Sequence, residues 1–318
     1  MKIRKIFAAG ILCAGLFLAG CNDDAESSGT PDSSDSAGNF DYGVTSSAPK
    51  EIEGFLGNVG DVSPKEGDLI AEFEIEGFGT IRAVLFPEAA PMGVENFKKL
   101  ADAGFYEGLT IHRVMKNFML QGGSTNGDGT GGDAAINGGS FGIETTQNAR
   151  NFYGALCYAN AGGENSTQFY IINNKRPQDI SGFNPASYKS EIENNKELIK
   201  EAHELGYADY EAYYRFWAQY YQNIVDWFGG ATDAVKEKYR KVGGYPSLDG
   251  NYTVFGQVYE GFDVIDSISS VEVKDNGSDE LSKPVQDIII KSVSVTVYAG
   301  DSGSEPSGGQ EDSVPVNS

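Results

Sequence analysis

The chain has 318 residues with 24 basic and 46 acidic side chains, a formal charge of −22. That balance excludes a surface built to grip nucleic acid, which needs clustered Lys and Arg against phosphate. The length admits one long domain or two modest ones, and three cysteines are too few for a disulfide framework at this size.

Lys2, Arg4 and Lys5 precede an apolar run from Ile6 to Leu18. The run is shorter than the ~20 residues of a membrane span and has the size of a signal-peptide core. It ends in Leu18-Ala19-Gly20-Cys21, which resembles the lipobox of bacterial lipoproteins. That resemblance implies a signal peptide over residues 1–20 and lipidation of Cys21. It also implies a location on the extracytoplasmic face of a bacterial cell envelope, anchored to the membrane by the N-terminal lipid. Removing residues 1–20 takes away three basic and no acidic side chains, so −22 becomes −25. Cys13 leaves with the signal, and Cys157 is then the single free thiol, expected to be a small buried apolar residue.

Residues 21–64 are expected to be a disordered tether, because Asn22 to Ser47 is rich in Ser, Asp and Gly and poor in apolar side chains. Residues 65–298 hold the folded domain. Leu69, Ala71, Phe73 and Ile75 alternate as a strand, Gly77-Phe78-Gly79 turns, and Ile81 to Phe86 continues as a second strand. Pro91 opens a helix with Val94, Phe97, Leu100 and Ala101 on one face and Gly104 closing it.

The next stretch, Phe105 to Gly123, puts a cation, two apolar side chains and an amide (Arg113, Phe118, Met119, Gln121) within nine residues. Gly127, Gly129, Gly131 and Gly132 follow in an irregular loop. No Lys-Ser/Thr follows to cradle phosphate, and no spaced acidic set is present for calcium. His112 is expected to point to the opposite strand face from Arg113 and to be structural.

Residues 174–246 break the β pattern. A helix is expected from about Glu191 to Leu205 and another from about Asp233 to Lys241. Between them Tyr210, Tyr213, Tyr214, Trp217, Tyr220, Tyr221, Ile224, Trp227 and Phe228 recur at helical spacing, with Glu211, Arg215, Gln219, Gln222 and Asp226 opposite. Gly229-Gly230 ends that helix, and its aromatic stripe is expected to be core. Ile288 to Val297 suits a closing strand, and residues 299–318 have the composition of a disordered tail.

The block from Phe105 to Gly123 resembles the signature of the cyclophilins, a family of peptidyl-prolyl isomerases. Three further blocks match in order: Gly154 to Gly162, Ser166 to Ile171, and Leu248 to Val258. The resemblance runs from about Gly67 to Val297, apart from the helical stretch. It implies a mainly β fold, an eight-stranded antiparallel β-barrel capped by two helices, here with an inserted α-helical subdomain. It implies Arg113 and Gln121 as catalytic residues. Phe118, Met119, Tyr170 and Leu248 would wall a proline pocket, with Ala159, Asn160, Gln168 and Tyr252 completing the substrate groove.

Isomerisation breaks no bond, so no cofactor and no metal is expected. The expected partners are proline-containing peptides and unfolded exported proteins, and a monomer is the expected state. The alternative is a non-catalytic module that binds proline peptides or another partner through the groove or the aromatic helices. Three departures from the family stand out, the first being Ser247, just before Leu248, where the family often has tryptophan. Tyr170 brings a hydroxyl that needs a partner if buried. The insertion enters just before Leu248 and is expected to pack beside the groove and modulate access to it.

Overall fold

The structure is a computed structural model and describes residues 40–46 and 49–300. Strands β1 (Leu69–Ile75) and β2 (Gly79–Leu85) form a hairpin, followed by helix α1 (Pro91–Asp102). Strands β3 (Ile111–Met115) and β4 (Met119–Gly122) form the next, and a two-residue β5 (Phe141–Gly142) leads to β6 (Ala155–Ala161) and β7 (Glu164–Ile172). Three helices come next: α2 (Ala186–Glu204), α3 (Ala208–Gly229) and α4 (Asp233–Val242). After a 3-10 turn at Pro246–Leu248, the chain forms β8 (Val254–Glu260), α5 (Phe262–Ile268), a small hairpin of β9 (Val273–Asp275) and β10 (Leu281–Pro284), and β11 (Ile290–Val297).

The main sheet is antiparallel in the order β11-β1-β2-β8-β6-β7-β4-β3. Backbone bonds join its two ends: Ile111 N–H donates to Ile288 O at 2.9 Å, and Ile290 N–H donates to Leu109 O at 2.8 Å. Eight strands thus curl into a barrel. Its interior follows from the period of two along each strand. Ala71, Phe73 and Ile75 of β1 and Ile81, Ala83 and Leu85 of β2 point into one cluster, while Ile70 and Val84 point to a second cluster outside. Helix α1 caps the inner cluster with Val94, Phe97 and Leu100, and α5 adds Val264, Ile265 and Ile268. Phe97 sits among Phe73, Tyr106 and Phe255, with ring centroids 5.1 to 5.6 Å apart.

The insertion closes at a neck, where Gly244 N–H donates to Asn174 O at 2.9 Å and Asn174 Nδ2 donates to Gly244 O at 2.8 Å. All three expected helices are present. The aromatic stripe of α3 is core only over its C-terminal half: Ile224 and Trp227 are buried, whereas Tyr210 and Tyr213 are about half exposed, 51% and 55%. At 1.5 Å per residue the 22 residues of α3 span about 33 Å.

The expectation of a disordered tether over residues 21–64 fails for residues 49–64, and the domain begins near residue 49 rather than 65. Asn58 is fully buried; its Nδ2 donates to Arg150 O at 2.7 Å and to Gln257 Oε1 at 3.0 Å, while its Oδ1 accepts from Arg150 N–H at 2.8 Å. Lys50 O accepts from Gln147 N–H, and the Phe55 ring meets Phe86 at 5.6 Å. This segment docks through single polar and aromatic contacts onto loops, so it carries no helix or strand period to betray it. Residues 40–46 lie on the polar face of α3: Thr45 N–H donates to Gln219 Oε1 at 2.8 Å, and Arg215 reaches Asp41 O at 3.0 Å. The signal segment 1–20, Cys21 and residues 301–318 of the tail lie outside the described residues. Among the described residues no helix is long and apolar enough to cross a membrane.

Candidate active site

Strand register assembles the site on the outer wall of the barrel. Arg113 of β3 lies opposite Gln121 of β4, Gln121 opposite Tyr170 of β7, and Tyr170 opposite Cys157 of β6. Side chains at paired positions share a face, so this row of four crosses the wall in one line. Arg113 NH1 donates to Gln121 Oε1 at 3.2 Å, Gln121 Nε2 to Gln168 Oε1 at 3.1 Å, and Gln168 Nε2 to Gly129 O at 2.8 Å.

Phe118 ends the tight β3–β4 turn, whose Asn117 takes the left-handed conformation with φ 60°. Its N–H donates to Asn173 Oδ1 at 2.7 Å, which fixes where the ring projects. The Arg113 guanidinium lies 5.8 Å from that ring centroid. Arg113, Phe118, Met119, Gln121, Tyr170, Leu248 and Tyr252 line one pocket. Seven sequence-selected residues thus converge. The other three stand apart from it. Gln168 extends the amide chain, Ala159 packs in the outer cluster, and Asn160 is occupied with backbone, donating to Asn251 O at 2.9 Å.

The pocket is built from apolar faces. Met119, Tyr170, Leu248 and Tyr252 are each 5% exposed or less, and the Tyr170 and Tyr252 rings meet edge to face at 5.7 Å. Burial pushes the Tyr252 hydroxyl up to about 12, so it stays neutral. The buried hydroxyl of Tyr170 finds its partner in Asn151 Oδ1 at 2.8 Å, which also accepts from the Cys157 thiol at 3.4 Å. Cys157 is free and fully buried, and burial raises its pKa well above the ordinary thiol value.

Behind the pocket lies a polar network that sequence reasoning missed. Asp249, 3% exposed, accepts from Asn151 N–H at 2.9 Å, from Arg150 NH1 at 3.1 Å and from the Tyr239 hydroxyl at 2.8 Å. It ties the segment that carries Leu248 to the loop at Arg150 and to helix α4. Trp227 of α3 stacks on the Arg150 guanidinium at 4.5 Å. Gly250 comes so close beneath this indole that a Cβ there would stand 2.3 Å from Trp227 Nε1, and its φ of 78° favours glycine as well. Asn223 of α3 donates to Gly250 O at 3.2 Å and Asn251 Oδ1 at 3.0 Å. Helices α3 and α4 therefore back the pocket wall, and none of the side chains of α2, α3 or α4 is among the pocket lining. The Tyr245 ring, at the foot of the insertion, packs on Phe118 at 4.6 Å.

Glu280 was also missed. Its two carboxylate oxygens accept from Arg113 Nε at 2.7 Å and NH2 at 2.8 Å, and both side chains are largely buried, 9% and 15% exposed. The neighbouring His112 is 8% exposed, and neither ring nitrogen finds a hydrogen-bond partner among the described residues. No cluster of His, Cys, Asp and Glu suited to a metal occurs among the described residues.

Comparison with known proteins bears on the whole domain. The family model for the cyclophilin type peptidyl-prolyl cis-trans isomerase/CLD matches residues 70–295. A Staphylococcus haemolyticus protein assigned as a peptidyl-prolyl cis-trans isomerase is 34% identical over 218 residues, 68% of this chain and 86% of that protein. A Staphylococcus aureus protein with the same assignment is 32% identical over 219 residues, 68% of this chain and 87% of its own length. A solved Cryptosporidium parvum cyclophilin type isomerase aligns with a TM-score of 0.46 and 19% identity, covering 73% of this chain and 99% of that one.

Proposed function

Because the chain belongs to the cyclophilin-type peptidyl-prolyl cis-trans isomerases, we propose that its pocket grips a proline ring while Arg113 stabilises the twisted X–Pro amide. Rotation about a peptide C–N bond costs about 18–20 kcal/mol, mostly in lost resonance. An X–Pro bond populates both isomers, so the protein's task is to bind the half-rotated state better than either planar one. In that state the proline nitrogen turns pyramidal and its lone pair becomes a hydrogen-bond acceptor. A guanidinium donor placed beside an apolar pocket meets that need. Arginine suits the role because it stays charged and presents donors in a rigid plane.

The observation that carries this reading is that Arg113 and Gln121 line one pocket with Phe118, Met119, Tyr170, Leu248 and Tyr252. Gln121 and Gln168, linked at 3.1 Å, offer an amide track for the backbone of an extended peptide. We further propose that the clients are exported proteins and that Cys21 carries the lipid anchor, on the strength of the Leu18-Ala19-Gly20-Cys21 motif. The test is prolyl cis-trans exchange on a proline-containing peptide. Arg113→Ala is expected to lower kcat/KM about a hundredfold, the scale of removing a donor to a developing charge or lone pair. Equal rates for wild type and variant would sink the catalytic role of Arg113.

A further inference from the structure

Arg113 has two edges, and the structure uses them differently. The Nε–NH2 edge is taken by both oxygens of Glu280, at 2.7 and 2.8 Å. NH1 is left facing Gln121 Oε1 at 3.2 Å and Met119 Sδ at 3.7 Å, both on the pocket side. A two-point grip on a planar fork fixes its orientation as well as its place, which a single contact would not.

Glu280 is itself held. It ends the tip of the β9–β10 hairpin, where Asn276 N–H donates to its carbonyl at 2.9 Å and Asp279 before it has φ 60°. Asp275 and Asn276 cap the turn by accepting from Gly277 N–H at 2.7 Å and Ser278 N–H at 2.9 Å. Strand β10 in turn packs against β3. The hairpin belongs to no strand of the barrel sheet, so its delivery of a carboxylate to this arginine is a contribution from outside the barrel wall.

We infer that Glu280 is a positioning residue for Arg113, gripping one edge of the guanidinium so that NH1 is aimed at the peptide in the pocket. This rests on the reading of Arg113 given above. Removing the carboxylate frees a long side chain to swing towards solvent or across the pocket, which weakens the transition-state contact and leaves the apolar walls that bind proline intact.

The test is kinetic, on the full chain, with Arg113→Ala, Glu280→Ala, Glu280→Gln and the double variant Arg113→Ala/Glu280→Ala, each melted alongside. Glu280→Ala is expected to lower kcat about tenfold with KM within about twofold, and Glu280→Gln, which keeps one acceptor oxygen, to recover part of that loss. On the Arg113→Ala background, Glu280→Ala is expected to change nothing further, the sign that it acts through the arginine. The Arg113 Nε–H proton is expected to exchange faster in Glu280→Gln than in the wild type, a readout that serves even if the alanine variant folds poorly. Wild-type kcat in folded Glu280 variants, or an equal loss with and without Arg113, overturns the inference while the role of Arg113 stands. Full activity of Arg113→Ala overturns both, and the two failures are distinguished by that single variant.

Discussion

Arg113 and His112 are neighbours on β3, and they end in opposite electrostatic situations. The arginine meets a carboxylate; neither imidazole nitrogen has a hydrogen-bond partner among the described residues. Burial first, and the Arg113 charge second, lower the His112 pKa from 6.5 to about 4. The unfolded chain therefore binds a proton between those values that the folded protein refuses. Stability from this group is complete above pH 6.5 and falls as pH drops towards 4, by a total of about 3 kcal/mol. Thermal melts at pH 7.5 and pH 5 should show the wild type losing more stability than His112→Phe, whose ring cannot titrate. Equal losses would refute the assignment. The site's own residues were legible because Arg113, Phe118, Met119 and Gln121 lie in one local block. Glu280 was not, since 167 residues separate it from Arg113 and it sits in a turn of Asn, Gly, Ser and Asp.

At the scale of elements, helix periodicity revealed α2, α3 and α4 but not their task. What α3 and α4 touch is the back of the pocket wall. Asn223 and Trp227 of α3 and Tyr239 of α4 all bear on Gly250, Arg150 or Asp249, the support of the Leu248–Tyr252 wall. Such a contact joins a helix to loops far away in the chain, and no local pattern encodes it. The buried Arg150–Asp249 pair is favourable only while its hydrogen bonds and its indole cover are intact. Trp227→Ala would uncover the guanidinium and leave a void over Gly250, costing about 3–5 kcal/mol in chemical unfolding. Its KM for a proline peptide should rise more than its kcat falls, because the wall loosens while Arg113 is untouched. A lid would give the reverse: faster access and a lower KM.

Across the whole molecule, the barrel and its two capping helices were implied by the family resemblance of the ordered blocks, and the inserted helices were legible from the period of 3.6. The edge of the domain was not. Residues 49–64 show no helix or strand period, yet Asn58 bonds Arg150 N–H, Arg150 O and Gln257 Oε1 of β8, and Lys238 Nζ reaches Gly60 O at 2.6 Å. Chains starting at residue 49 and at residue 65 should therefore differ. The shorter one leaves Arg150 N–H without its partner and takes one partner each from Arg150 O and Gln257 Oε1, and it should melt several degrees lower, since an unpaired buried group costs about 1–3 kcal/mol. Equal melting temperatures would mean that the segment is only laid on the surface.

Cys157 turns the same architecture into a clock. The sulfur lies in the middle of the wall, with none of its surface exposed and its proton held tightly by burial. Neither oxidant nor alkylating reagent can reach it until neighbouring strands separate. Closure, whatever the redox state of the surroundings, is what shields that thiol. With reagent concentrated enough to outpace reclosing, the rate at which it is consumed is the rate at which the barrel opens.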